Sequence, residues 1–310
     1  MDPRRLIVLA VALLVAGCTS VAPPAAPVAP AEPAVAAAPP AEPTPAVTAP
    51  APALAADDNL NATLWTQRAI EHDLVFLAVY RNAREKLAAA VADPAWDALP
   101  HDDREGSPEG LAPAVILDVD EAALDNSPYQ ARLIRSGEEY DEFTWAEWCK
   151  EKAARPLPGA VEFARRADEL GVAVFYVSNR ARDLDVVTIE NLRAAGFPVF
   201  GEEAFLGLGT ILPGCEQFGT EKGCRRRLVG REYRILMQIG DQIGDFVDVI
   251  ANTNEGRAEA MEPYLDWVGE RWWPLPNPNY GSWEPAQFNN YWAQPREARR
   301  KAKVEALITD

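Results

Sequence analysis

Three short apolar runs constrain this chain most. Ala114–Leu117, Val172–Val177 and Arg234–Ile239 are each bounded by turn residues, and each is followed at once by polar side chains. Runs of this length read as buried strands of a parallel sheet covered on both faces. Helical periodicity fills the spaces between them. Residues 159–170 form an amphipathic segment closed by Gly171, residues 184–195 stop at Gly196, and a further helix is expected from about Gln242. Glycine after a helix accepts the left-handed conformation that ends it. Strands alternating with helices give an α/β domain with a parallel sheet and right-handed crossovers. In such sheets ligands bind beyond the carboxyl ends of the strands.

Upstream, Trp65, Ala69, His72, Phe76, Val79, Ala83, Leu87 and Ala90 recur at spacings of three and four, which predicts one helix over 62–92 ended by Asp93-Pro94. His72 lies on that face as a packed histidine. Residues 97–112 read as a polar loop, and Thr144-Trp-Ala-Glu147 as a capping box opening a helix.

The first 56 residues are of another kind. Arg4 and Arg5 precede an apolar run, Leu6–Ala16, too short to span a bilayer. Val15-Ala16-Gly17-Cys18 resembles the bacterial lipobox, so residues 1–17 are expected to be a lipoprotein signal peptide and Cys18 the lipidated N-terminus. Thr19, not Asp, follows it, which points to an outer-membrane lipoprotein of a bacterial cell envelope. Residues 21–56 are almost entirely Ala, Pro and Val, with 11 of the 27 Pro, a composition that forms no core. Residues 18–57 are therefore expected to be a tether, reaching about 100 Å if extended as polyproline II. The folded domain is expected over 58–310.

The chain carries a formal net charge of −17. Residues 1–56 hold three acids and two Arg, so the folded part carries almost all of it. Such a domain lacks the basic face that nucleic acid requires. With only two His, a three-His zinc site is excluded. Neither His sits in an Arg-His-Gly signature, and G-x-x-x-x-G-K-[ST], H-E-x-x-H and G-x-S-x-G are absent. The chemistry must come from carboxylates.

The strand ends supply them. Asp118-Val119-Asp120-Glu121 follows the first run, Ser178-Asn179-Arg180 the second, and Gly240-Asp241-Gln242-Ile243-Gly244-Asp245 the third. Crowded aspartates repel one another unless a cation joins them. Hard oxygen donors suit Mg2+. Asp118 and Asp241 offer carboxylates and Asp120 its carbonyl. Alternation in Asp-Val-Asp puts Asp118 and Asp120 on the same side of the chain. One can then be a nucleophile and the other handle the proton.

Asp118-Val-Asp-Glu with Leu124-Asp-Asn-Ser-Pro-Tyr129, Ser178-Asn-Arg180, Gly240-Asp with Asp245-Phe246, and Leu275-Pro-Asn-Pro-Asn-Tyr-Gly-Ser-Trp283 together resemble the class C acid phosphatases. These form the lipoprotein e family of the haloacid dehalogenase superfamily. The resemblance covers roughly residues 60–290. It implies a haloacid-dehalogenase-like Rossmannoid sheet flanked by helices, with an added N-terminal helix and a small helical cap. It implies a magnesium-dependent phosphomonoesterase working through an aspartyl-phosphate, with 5′-nucleotidase-like activity. Asp118 matches the nucleophile and a metal ligand. Asp120 matches the general acid/base, its carbonyl on the metal. Ser178 and Asn179 match the phosphoryl-binding motif, and Asp241 and Asp245 the remaining metal ligands. Lys222, before Arg225–Arg227, is the choice for the third-motif cation. Ala122 departs from the family's Thr and Gln242 from its Asn.

The substrate expected is a small phosphomonoester such as a nucleoside monophosphate, with Trp145 and Tyr280 clamping the base. Trp272, Trp273 and Trp292 read as packing. Cys215 and Cys224 are candidates for a disulfide, and the sequence leaves pairing with Cys149 open. A homodimer is compatible with this reading. So are two other functions: a non-catalytic binding lipoprotein on the same fold, and a phosphotransferase.

Overall fold

The computed structural model describes residues 56–309 apart from Leu212 and Cys215. The expected signal peptide over residues 1–17, Cys18 and nearly all of the tether lie outside the described residues. The helix expected over 62–92 is two helices, α1 (Leu60–Arg68) and α2 (Ile70–Ala92), broken at Ala69, whose backbone is extended. No Pro or Gly forces the break; the two segments bury different stripes. α2 buries His72, Phe76, Tyr80, Ala83, Leu87 and Ala90. α1 buries Thr63 and Thr66. Thr63 Oγ1 donates to Asn279 Oδ1 at 2.9 Å, and Asn279 Nδ2 donates to Thr66 Oγ1 at 2.8 Å. Thr63 lies nine residues before His72, which at ~100° per residue is about half a turn out of phase. One straight helix could not satisfy both. His72 is a packed histidine, its ring 4.6 Å from Phe76 and 5.4 Å from Trp65.

The sheet begins with β1 (Ala112–Leu117). A small insertion follows: β2 (Leu124–Asp125), α3 (Ser127–Ser136), α4 (Glu142–Glu151) and β3 (Arg155–Pro156), with β2 and β3 antiparallel. This is the helical cap. The chain continues through α5 (Ala160–Glu169), β4 (Ala173–Ala181), α6 (Asp185–Ala195), β5 (Phe205–Leu208), α7 (Gly223–Glu232), β6 (Tyr233–Gly240), α8 (Asn254–Met261), β7 (Trp272–Pro274) and α9 (Arg296–Glu305). The five strands of the main sheet are all parallel, in the order β5-β4-β1-β6-β7. Chain order runs outward from β1 in both directions, so the switch point lies between β1 and β6, where α/β sheets bind ligands.

Alternation through the sheet feeds two cores. Val115, Leu117, Val174, Tyr176, Leu236 and Ile239 pack on one side with α2 and α5. Ala114, Ile116, Phe175, Val177 and Ile235 pack on the other with Val229 and Trp272. Truncating a fully buried member such as Leu117 to Ala costs about 2–5 kcal/mol.

Two expected helix starts differ. α4 opens at Asp141, not Thr144: Asp141 Oδ1 accepts from Phe143 N at 2.9 Å and Thr144 N at 3.1 Å. Asp caps at least as well as Thr, and the Thr144 hydroxyl donates to Asp141 O at 3.1 Å instead. After β6 only a 3-10 turn forms, Ile243–Asp245, and the next helix starts at Asn254. Asp245 folds back to accept from Gln242 N at 2.8 Å, which caps the turn. Trp272 and Trp273 are buried as expected. Trp292 is half-exposed, packed edge-on against Phe288 at 5.0 Å and under Arg299.

Candidate active site

Asp118 leaves β1 with its N–H donating to Ile239 O of β6 at 2.9 Å, which ties the two strand ends together. Asp241 follows β6 directly, and Asp245 comes from the 3-10 turn. Oxygens of the Asp118, Asp241 and Asp245 carboxylates all lie within 4.8 Å of one another. Gly240 makes this approach possible, because a Cβ there would collide with the Asp245 carboxylate. Lys222, at the start of α7, sends Nζ between two of the three: it pairs with Asp118 Oδ1 and lies 2.6 Å from Asp245 Oδ1.

Three carboxylates face one ammonium in a buried site. Burial raises Asp118 well above the usual carboxylate range; Lys222 opposes this, and Asp245, Asp241 and Asp120 add to it. Burial, then Asp245, push Asp241 up to about 7. Hydrogen bonds resist that rise: Asn277 Nδ2 (2.8 Å) and Gln242 Nε2 (2.7 Å) both donate to Asp241 Oδ2. Burial favours neutral Lys222, but Asp118 and Asp245 outweigh it and hold the ammonium. Three acidic groups thus share one cation, and the upward shifts of Asp118 and Asp241 mark a site that a further cation would let ionise fully. Its donors are hard oxygens from three chain positions, which fits a divalent magnesium ion.

Asp120 stands beside this cluster on a separate frame. Ser178 Oγ donates to its Oδ2 at 3.0 Å. Its Oδ1 accepts from Arg180 Nε at 2.9 Å and Nη2 at 2.8 Å, and from Asn126 Nδ2 at 2.9 Å. Arg180 is buried in β4, and Asp120 is the partner that keeps it charged against desolvation. Nη2 of Arg180 also donates to Asn126 Oδ1 at 3.2 Å, an oxygen that accepts from Trp148 Nε1 at 2.8 Å as well. Asn126 N in turn donates to Glu121 Oε1 at 2.7 Å. Glu121 turns the chain with φ +58°. The carbonyl of Ala122 accepts from Tyr80 OH at 2.8 Å, so α2 buttresses the loop after β1. The Ala122 side chain is fully buried and apolar, and Gln242 is a direct support of Asp241.

The structure therefore brings together Asp118, Asp241, Asp245 and Lys222, with Asp120 and Ser178 alongside. Asn179 is exposed at the end of β4, its Oδ1 accepting from Arg225 Nη2 at 2.6 Å. Trp145 is only 8% exposed and lies edge-on to Tyr129 at 5.2 Å, with Arg180 over its ring at 5.4 Å. Tyr280 is half-buried, and its carbonyl accepts from Gln242 Nε2 at 3.3 Å. Sequence reasoning missed Arg180, Asn126 and Asn277 as supports. All three lie inside motifs already singled out, but nothing in the sequence marks which side chains of those motifs meet. Cys224 is disulfide-bonded. Cys149 is a free buried thiol, pushed up to about 12 by burial, so it is not the partner of Cys224. Cys215 lies outside the described residues.

This sheet, with functional side chains on the ends of β1, β4 and β6, has the haloacid-dehalogenase-like fold. Within it the chain belongs to the HAD superfamily, subfamily IIIB (acid phosphatase), whose family model matches residues 69–283. It is similar to the class C acid phosphatase of Bacillus anthracis, with a TM-score of 0.70 and 30% identity over 81% of this chain and 97% of that one. A second structure of that protein, with tungstate bound, matches equally. Acid phosphatase 1 of Solanum lycopersicum is 31% identical over 137 residues, 43% of this chain and 51% of that protein. The stem 31 kDa glycoprotein of Glycine max is 28% identical over 165 residues, 53% of this chain and 58% of that protein. The chain spans about half the length of the curated relatives it matches.

Proposed function

We propose that this chain hydrolyses small phosphate monoesters through an aspartyl-phosphate on Asp118. The observation that carries this reading is the buried Asp118 carboxylate held by Lys222 next to a second aspartate, Asp120, fixed by its own set of donors. A binding module has no need of two aspartates supported in such different ways. The tungstate bound to the Bacillus anthracis relative supports an oxyanion site on this fold.

In the first step an Asp118 oxygen attacks phosphorus. The bond to the leaving alcohol breaks, and protonated Asp120 gives its proton to the departing oxygen. In the second step Asp120 takes a proton from water, which attacks phosphorus and frees phosphate and Asp118. Lys222 opposes the burial of Asp118 and counters charge on the transferring group. Asn179 and Ser178 close the phosphoryl site from β4, Asn179 with an exposed amide and Ser178 with a hydroxyl now resting on Asp120. Asp118, Asp241, Asp245 and the Asp120 carbonyl would hold magnesium, which supplies charge neutralisation and alignment of the phosphoryl oxygens.

For the leaving group, the reading is a nucleoside monophosphate whose base stacks on Tyr280 and meets the edge of Trp145. Stacking predicts that Tyr280→Ala loses more activity on a nucleoside monophosphate than on a sugar phosphate; equal losses would sink it. Lipidation of Cys18 is proposed to hold the domain at the outer membrane. Cys18→Ser should then move the protein from the membrane to the soluble fraction of a lipoprotein-processing host. The activity itself is tested by p-nitrophenyl phosphate hydrolysis by the full chain, with magnesium and with EDTA. Turnover only with the metal is expected, and none under either condition would overturn the reading.

A further inference from the structure

α7 opens with Lys222 and then carries Arg225, which the mechanism above does not use. Arg225 is fully buried. Among the described residues it makes no ion pair, and its Nε has no hydrogen-bond partner. Burial pulls it down to about 10, against the pull of Asp118. A buried cation without a paired carboxylate is costly, so its placement calls for a reason. Its contacts supply one. Nη1 donates to Ser178 O at 2.5 Å, and Nη2 donates to Asn179 Oδ1 at 2.6 Å, with longer bonds to Thr220 O and Glu221 O at 3.3 and 3.2 Å. Both ends of the guanidinium grip the segment that closes the phosphoryl site.

A guanidinium has only donors, whereas a carboxamide has one oxygen and one NH2. Arg225 therefore fixes which way Asn179 faces. The oxygen must turn inward to Arg225, and Nδ2 is left on the exposed side of β4. Without Arg225 the amide could present its oxygen to an anion and repel it. We propose that Arg225 is a positioning residue: it orients the Asn179 amide so that Nδ2 donates to a phosphoryl oxygen of the substrate. The proposal rests on the phosphomonoesterase reading.

The test is a double-mutant cycle on the full chain, read as inhibition by inorganic phosphate and as KM for p-nitrophenyl phosphate. Arg225→Met and Asn179→Ala are each expected to weaken phosphate about tenfold, the scale of one charge-assisted hydrogen bond. The double variant should be no weaker than Asn179→Ala alone, because Arg225 acts through Asn179. A merely structural arginine would weaken phosphate by the same factor in both backgrounds, and that result overturns the proposal. Asn179→Asp adds a discriminating readout: it pairs with Arg225 and should melt no lower than wild type, yet lose phosphate binding. If Arg225→Met does not fold, Arg225→Lys keeps the charge but not the two-ended grip. It should weaken phosphate in the wild-type background and not in Asn179→Ala; an equal effect in both overturns the proposal. Active wild-type protein with an additive cycle rejects the positioning role alone. Wild-type protein with neither turnover nor phosphate inhibition rejects the phosphatase reading and this role with it.

Discussion

At the residue scale, one acidic side chain after β4 carries a pH signature of its own. Asp185 begins α6, where the helix dipole favours an anion, yet burial pushes it up to about 6, with Arg182 opposing and Asp183 adding. Its Oδ1 has no hydrogen-bond partner among the described residues and lies against Gly207. A carboxyl raised on folding binds more protons in the folded chain than in the unfolded one between pH ~4 and 6, so its ionisation lowers stability as pH rises through that window. Asp185→Asn removes the ionisation. Its melting temperature relative to wild type should be higher at pH 7.5 than at pH 4, measured by thermal denaturation; an offset that does not vary with pH would contradict this. Asp118 and Asp241 could be recognised from sequence because each ends an apolar run. Arg180 and Asn126 could not, since they meet Asp120 from positions that pair only after β1, β4 and the cap have converged.

At the scale of elements, α2 matters because it reaches the loop after β1. Tyr80 crosses the core to the Ala122 carbonyl, and Gly159 lets it pass: Gly159 has φ +87°, and a Cβ there would sit 2.9 Å from Tyr80 Cβ. Gly159→Ala should cost about 1–3 kcal/mol, from positive φ and the close approach together. Tyr80→Phe should cost about 1–3 kcal/mol for the buried carbonyl it strands. Denaturant titration checks both, and wild-type midpoints would contradict the buttress. The elements legible in sequence were those with a strong period or a clear stop. β1, β4 and β6 are apolar runs that lead into polar motifs, α5 and α6 are amphipathic segments stopped by Gly, and all formed near their expected places. β5 and β7 are edge strands of four and three residues, one holding Gly207 and the other ending in Pro274, so neither reads as a continuous apolar run. The break at Ala69 has no local signal, because Asn279, more than two hundred residues away, sets it.

At the scale of the whole molecule, most of the acidic side chains stay at the surface, but a few are placed where folding opposes their charge. The domain carries nearly all of a net −17, and at β1 and β6 it buries three carboxylates against one lysine. Metal ligands must be deprotonated to bind, and Asp241 sits at about 7 without a cation. Magnesium should therefore raise the melting temperature more at pH 7.5 than at pH 5. Binding only to the folded state stabilises by about 2.7 kcal/mol at one hundred times Kd. Differential scanning calorimetry with and without the ion measures this; an equal increment at both pH values would count against the carboxylate cluster as the site.

The central claim is that Asp118 is the nucleophile. The most direct measurement is p-nitrophenyl phosphate turnover by wild-type chain and Asp118→Asn, side by side in saturating magnesium. The amide keeps the shape of the carboxylate but not its charge or nucleophilicity, so turnover should fall by about a thousandfold or more. Asp118→Asn as active as wild type would contradict the account.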